Sequence, residues 1–142
     1  MTKKKCIILC ASACIGRQIT SLLEENCGWK IYMVHSGTQA YARLSKDSID
    51  VVVADIEAPA LGGLEFLEYC HRHYTRLVTY GLAPENNLFL QKLATATGGC
   101  LGFFYQKENS AIIDCNRGAA AIISALRYSL LSEKSLDRNA NR

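Results

Sequence analysis

The segment Val51-Val52-Val53-Ala54-Asp55 is a run of β-branched and small apolar residues that stops on a carboxylate. A stretch apolar at every position predicts a strand buried on both faces, as in the parallel sheets of α/β proteins. Pro59 stands four positions beyond Asp55, Gly62-Gly63 follows, and Leu64, Leu67 and Cys70 then recur at helical spacing. Strand, turn and helix in that order deliver one acid to the carboxyl edge of a sheet. That edge is where open α/β sheets bind ligands and do chemistry.

The rest of the chain repeats the alternation. Strands are predicted at Lys5–Cys10, Trp29–Val34, Asp50–Ala54, Leu77–Tyr80 and Leu101–Tyr105, the fourth being the weakest pattern. Helices are predicted at Cys14–Asn26, stopped by Gly28, and up to Lys46 from a cap at Thr38. Further helices are expected at Leu64–Tyr74, at Glu85–Thr97 between Pro84 and Gly98-Gly99, and at Ala111–Leu131. Five strands alternating with five helices imply an α/β, doubly wound, five-stranded parallel sheet with helices on both faces. The flavodoxin-like strand order 2-1-3-4-5 is the expectation for such units. One domain over residues 1–131 and a polar C-terminal tail or linker over 132–142 complete the organisation.

Length and composition agree with a single domain. The 142 residues are 49% hydrophobic and 20% charged, enough apolar content for a core and too little charge for disorder. A net charge of +3, with Lys3-Lys4-Lys5 as the one basic cluster, gives no basis for direct nucleic-acid binding. No apolar run reaches the length of a membrane span, and Cys6–Ala11 is too short for a secretory leader, so a cytoplasmic location is expected. Seven cysteines scattered through apolar segments do not read as a disulfide framework, and buried packing is their expected role.

The spacing Asp-x-x-x-Pro-x-x-Gly-Gly-Leu-Glu over Asp55–Glu65 resembles the phospho-acceptor segment of bacterial response-regulator receiver domains, and the resemblance extends over roughly Lys4 to Leu131. It implies Asp55 as the phospho-acceptor candidate and Lys107, at the end of the fifth predicted strand, as the residue that stabilises the phosphoryl group. It also implies a Thr or Ser at the end of the fourth strand, where this sequence has Gly81, with Thr79 two positions earlier and deeper. Receivers hold Mg²⁺ with an acidic pair after the first strand. Here that place reads Cys10-Ala11-Ser12, and no carboxylate occurs from Met1 to Ser21. Asp55, with Glu57 as a weak second, is then the remaining oxygen donor, a poor set for a cation that demands near-octahedral oxygen ligation. No cofactor is expected, and Mg²⁺ binding is expected to be weak at most.

Two readings follow from the resemblance. In one, the chain is an atypical receiver, a pseudo-receiver, acting in signal transduction or transcription regulation by protein–protein contact; Asp55 then simply pairs with Lys107. In the other, it is a conventional phospho-acceptor of a two-component relay, phosphorylated on Asp55. Neither is an enzyme. Partners would be proteins, such as a histidine kinase or a fused output domain. The resemblance also implies a partner face formed by the fourth helix, fifth strand and fifth helix. It carries Phe104, Tyr105, Ile122 and Leu126, and the apolar excess of the final helix suggests a homodimer there.

Remaining candidates carry less. A thiol at Cys10 beside a lysine could have a lowered pKa and sense oxidants, though packing is the ordinary role. Cys70, His71 and His73 lack helical ligand spacing, and the histidines suit the dipole at a helix C-terminus. Nothing resembles a nucleophile elbow, a P-loop or a dinucleotide fingerprint, and fold alone implies no chemistry.

Overall fold

The computed structural model describes residues 4–57, 59–84 and 87–106; the side chains of Asn26, Pro59, Tyr105 and Gln106 are outside that description. The elements are β1 (Lys5–Leu9), α1 (Ala13–Cys27), β2 (Lys30–Val34), α2 (Gly37–Lys46), β3 (Val51–Asp55), a 3-10 turn (Pro59–Leu61), α3 (Gly63–His73), β4 (Val78–Pro84), α4 (Leu88–Gly98) and β5 (Phe103–Gln106). The five strands form one parallel sheet in the order β2-β1-β3-β4-β5. The fold class and strand order are those expected. The predicted helix Ala111–Leu131, the tail 132–142 and Lys107 lie outside the described residues.

Strand alternation divides the core into two layers. Cys6, Ile8 and Cys10, Val51 and Val53, Tyr80 and Leu82, and Phe104 pack on the side of α1, against Ile15, Ile19 and Leu23. Ile7 and Leu9, Val52 and Ala54, Ala83 and Phe103 pack on the side of α2, α3 and α4, against Leu44, Phe66, Leu67 and Ala94. All five residues of β3 are buried, which is why that segment has no polar face to alternate with.

Helix ends depart from the predicted boundaries where a better cap is available. Ser36, not Thr38, caps α2: its hydroxyl accepts from the Gln39 N–H at 3.2 Å. Pro84 does not open α4. It ends β4, which is longer than predicted, and its carbonyl accepts from the Asn87 N–H at 3.2 Å and from Gln91 Nε2 at 3.1 Å. Asn87 then caps α4 by accepting from the Leu90 N–H at 3.2 Å. A proline's fixed φ suits a strand end as well as a helix start, and an asparagine three residues on decided between them.

Candidate functional site

Asp55 is the last residue of β3 and only 9% exposed, at the carboxyl edge of the central strand. Its Oδ1 accepts a hydrogen bond from the Glu57 N–H at 3.0 Å, so the carboxylate organises the turn that leaves the strand. The Glu57 side chain is exposed. The two glycines beyond have separate jobs. Gly62 adopts a left-handed conformation, φ 69°, as the residue before α3. Gly63 begins the helix directly against the backbone of Asp55: a Cβ there would collide with the Asp55 carbonyl oxygen. The helix is thereby seated against the acid-bearing strand end.

The neighbouring corner, where β1 runs into α1, is built otherwise. Cys10 is fully buried and lies on the same side of the sheet as Asp55 by strand alternation. Its thiol donates to the Ser12 carbonyl oxygen at 3.3 Å. Burial, joined by the nearby Asp55 charge, pushes the Cys10 thiol up to about 11, although backbone hydrogen bonds at Ser12 and Gly16 act against this. The shift favours the protonated thiol at neutral pH, in keeping with the packing role expected of Cys10. Ser12 is occupied as the N-cap of α1, its hydroxyl accepting from the Ile15 N–H at 3.3 Å. His35, which the sequence reading did not single out, closes this corner from the residue just after β2. Its Nδ1 lies 3.0 Å from the Cys10 carbonyl oxygen, and its backbone N–H donates to Gln39 Oε1 at 2.9 Å. A carbonyl can only accept, so that contact places the imidazole proton on Nδ1.

Among the described residues no group of three or more His, Cys, Asp or Glu side chains is placed to hold a metal. The position next to Asp55 on its own side of the sheet is a protonated thiol, a soft and neutral group, whereas Mg²⁺ selects carboxylate, carbonyl and water oxygen.

Gly81 and Thr79, the residues expected at the switch position, stand one and three positions before Leu82, the residue paired with Asp55. Gly81 pairs with Ala54 and Thr79 with Val52, so both sit below the level of Asp55, whose own partner is Leu82. By alternation they face the α4 side, with Ala83, whereas Leu82 faces the side of α1 and Cys10. Thr79 is spent on structure, its hydroxyl donating to the Gly98 carbonyl oxygen at 2.7 Å. Gly81 is covered by Phe103: a Cβ at residue 81 would stand 2.6 Å from the Phe103 ring. The predicted strand end at Tyr80 is four residues early, since β4 runs to Pro84.

Phe104 also needs correction as a surface residue, since it is fully buried on the α1 side of the core. The Tyr105 side chain, Ile122 and Leu126 lie outside the described residues. The aromatic nearer the surface is Phe103, which helps line an open groove of about 450 Å³ between α4 and β5 with Leu88, Gln91, Lys92, Thr95 and Leu101. Leu88, Phe89 and Leu101 are 63%, 75% and 63% exposed, and Leu88 and Leu101 both line this groove. Their helical and loop positions were visible in the sequence, but no periodicity distinguishes a leucine turned outward. At the end of α3, Cys70 is buried, while His71, Arg72 and His73 lie exposed in the last turn.

No family model matches the chain. A stretch of 74 residues, 50% of the chain, is 27% identical to the CAI-1 autoinducer sensor kinase/phosphatase CqsS of Vibrio cholerae, and spans 11% of that protein's length. The structure is similar to the signal receiver domain of an HD domain-containing protein from Pseudomonas fluorescens Pf-5, with a TM-score of 0.73 and 17% identity over 97% of this chain and 94% of that one. It is similar also to a response regulator receiver domain from Clostridium thermocellum, with a TM-score of 0.70 and 21% identity over 94% and 98%. With five parallel strands in the order 2-1-3-4-5, the chain has the fold of a response-regulator receiver, or CheY-like, domain.

Proposed function

We propose that this chain is an atypical receiver domain that works in signalling through protein–protein contact and does not run the Mg²⁺-dependent phosphoryl switch. The observation that carries the reading is Cys10, a buried thiol hydrogen-bonded to the Ser12 carbonyl beside Asp55, at the corner where a metal site would need carboxylates. Phosphoryl transfer to a carboxylate depends on positioning and on neutralising charge as it arrives, so the loss of the metal removes most of the rate. Asp55 acts here as a structural acid that caps its own loop, and Lys107 is its proposed partner.

The exposed α4–β5 edge supports the contact part of the proposal. Leu88, Phe89 and Leu101 offer an apolar surface with Lys92 beside the groove, suited to a protein partner such as a histidine kinase or an output domain. The same edge would serve a homodimer. In this reading the domain turns over no substrate, carries no resident cofactor and works in the cytoplasm. Among the described residues no helix is long and apolar enough to cross a membrane.

One observation favours the alternative, phosphorylation on Asp55 within a two-component relay: the acid stands at the carboxyl edge with the Gly62-Gly63 turn and α3 seated behind it. Titration calorimetry with Mg²⁺ separates the two. The proposal expects no saturable binding at millimolar Mg²⁺. Binding that Asp55→Asn abolishes would favour the relay.

A further inference from the structure

Three tyrosines lie together on the outer surface of α2 and α3, each partly exposed: Tyr41 at 39%, Tyr69 at 38% and Tyr74 at 37%. They are held in a fixed array. Tyr41 meets buried Phe66 edge-on at 5.0 Å between ring centroids and Tyr69 edge-on at 5.1 Å. Tyr69 in turn packs against His73 at 4.5 Å and Tyr74 at 6.2 Å. Rings already ordered by one another lose little freedom on burial, and tyrosines of this kind are over-represented at the centres of protein interfaces.

The charges around the array identify its occupant. Glu65 and Arg72 are two helical turns apart and so share one face of α3, with Tyr69 between them. Both are exposed, and Arg72 already pairs with Glu68 through a 2.9 Å contact while its side chain stays 70% exposed. The face reads acid, tyrosine, base along the helix. A two-fold axis beside Tyr69 sets two such helices antiparallel, with Glu65 of each copy opposite Arg72 of the other and Tyr69 against Tyr69. An isologous interface requires this self-complementarity, and a face of uniform charge would forbid it.

We infer that the α2–α3 tyrosine face is a self-association surface, through which two copies of this chain pack α3 antiparallel about Tyr69. This goes beyond the proposed signalling role and uses a surface separate from the α4–β5 edge. Like charges replace opposite ones in either single reversal, while the double reversal restores the pairing in trans.

Sedimentation velocity over a concentration series of the full chain tests this. Wild type should dimerise. Tyr69→Lys, Glu65→Arg and Arg72→Glu should each weaken association about tenfold or more, and Glu65→Arg/Arg72→Glu should recover it. Far-UV circular dichroism confirms that the variants, all at exposed positions, remain folded. Because Arg72→Glu also faces Glu68, recovery in the double variant is the outcome that a merely structural role for these charges would not give. A wild type that stays monomeric throughout the series would overturn the inference and leave the face to a different protein. So would a dimer that survives Tyr69→Lys but is lost on Phe89→Lys, which would place the interface at the α4–β5 edge.

Discussion

The β3–α3 junction and the β1–α1 junction stand side by side at the carboxyl edge of one sheet, yet only the first ends its strand on a carboxylate. At β3–α3 the acid, the left-handed Gly62 and the close approach at Gly63 are all in place. At β1–α1 a thiol, an alanine and a helix-capping serine occupy the corner, and the thiol and the serine are both hydrogen-bonded there. The contrast separates geometry from chemistry. The demands of the β3–α3 turn are steric, and the fold itself enforces them. A metal-binding acid pair answers to the metal and not to the fold, and without a metal burial opposes it.

The steric side of the comparison breaks most severely. Gly63→Ala drives a methyl group into the Asp55 carbonyl oxygen, which no rotamer can avoid. A loss of about 3 kcal/mol is expected in urea denaturation, at the upper end for overpacking. The β1–α1 corner can be changed without that collision. Cys10→Asp/Ala11→Asp brings two acids beside Asp55, one of them at a fully buried position. It should cost about 2 kcal/mol without metal, and Mg²⁺ should return part of the loss as a rise in Tm. Wild type should show no such rise.

Smaller effects sharpen the contrast. Ser12→Ala removes the hydroxyl that caps α1 and should cost about 1 kcal/mol in the same urea titration. Asp55→Ala, which deletes the acceptor for the Glu57 N–H, should cost about as much, whereas Asp55→Asn keeps an acceptor oxygen and should cost less. The thiols supply a pH test. The folded-state value of Cys10 is raised from an ordinary 9.0 to about 11, so the stability it confers is present below pH 9 and is lost as pH climbs toward 11. Burial raises Cys70 and Cys100 in the same direction. Mass mapping after iodoacetamide at neutral pH should therefore find exposed Cys14 modified and Cys10 spared.

The fold was legible because its signals are local and redundant. The β-branched run at Val51–Val53, the Gly28 stop and the apolar spacing in α1 each fix one element, and strand alternation correctly put Cys6 and Cys10 on one side and Phe103 and Phe104 on opposite sides. The site was legible only in part. Asp55 announces itself as a charge ending an apolar strand. His35 has no such signal, because its role is a contact with a backbone carbonyl 25 residues away in sequence. The end of β4 was missed because Leu82-Ala83-Pro84 carries no strand alternation, and its pairing with β3 and β5 is a tertiary fact. The surface role expected of Phe104 failed for a related reason: alternation fixes opposite sides, not which of them is covered.

The most direct test is intact-mass analysis after incubation with acetyl phosphate and Mg²⁺, comparing wild type, Asp55→Asn and Cys10→Asp/Ala11→Asp. The account predicts no phosphoryl adduct on wild type or Asp55→Asn, and an adduct on the variant with the acidic pair installed. A phosphoryl adduct on wild type that Asp55→Asn removes would contradict it.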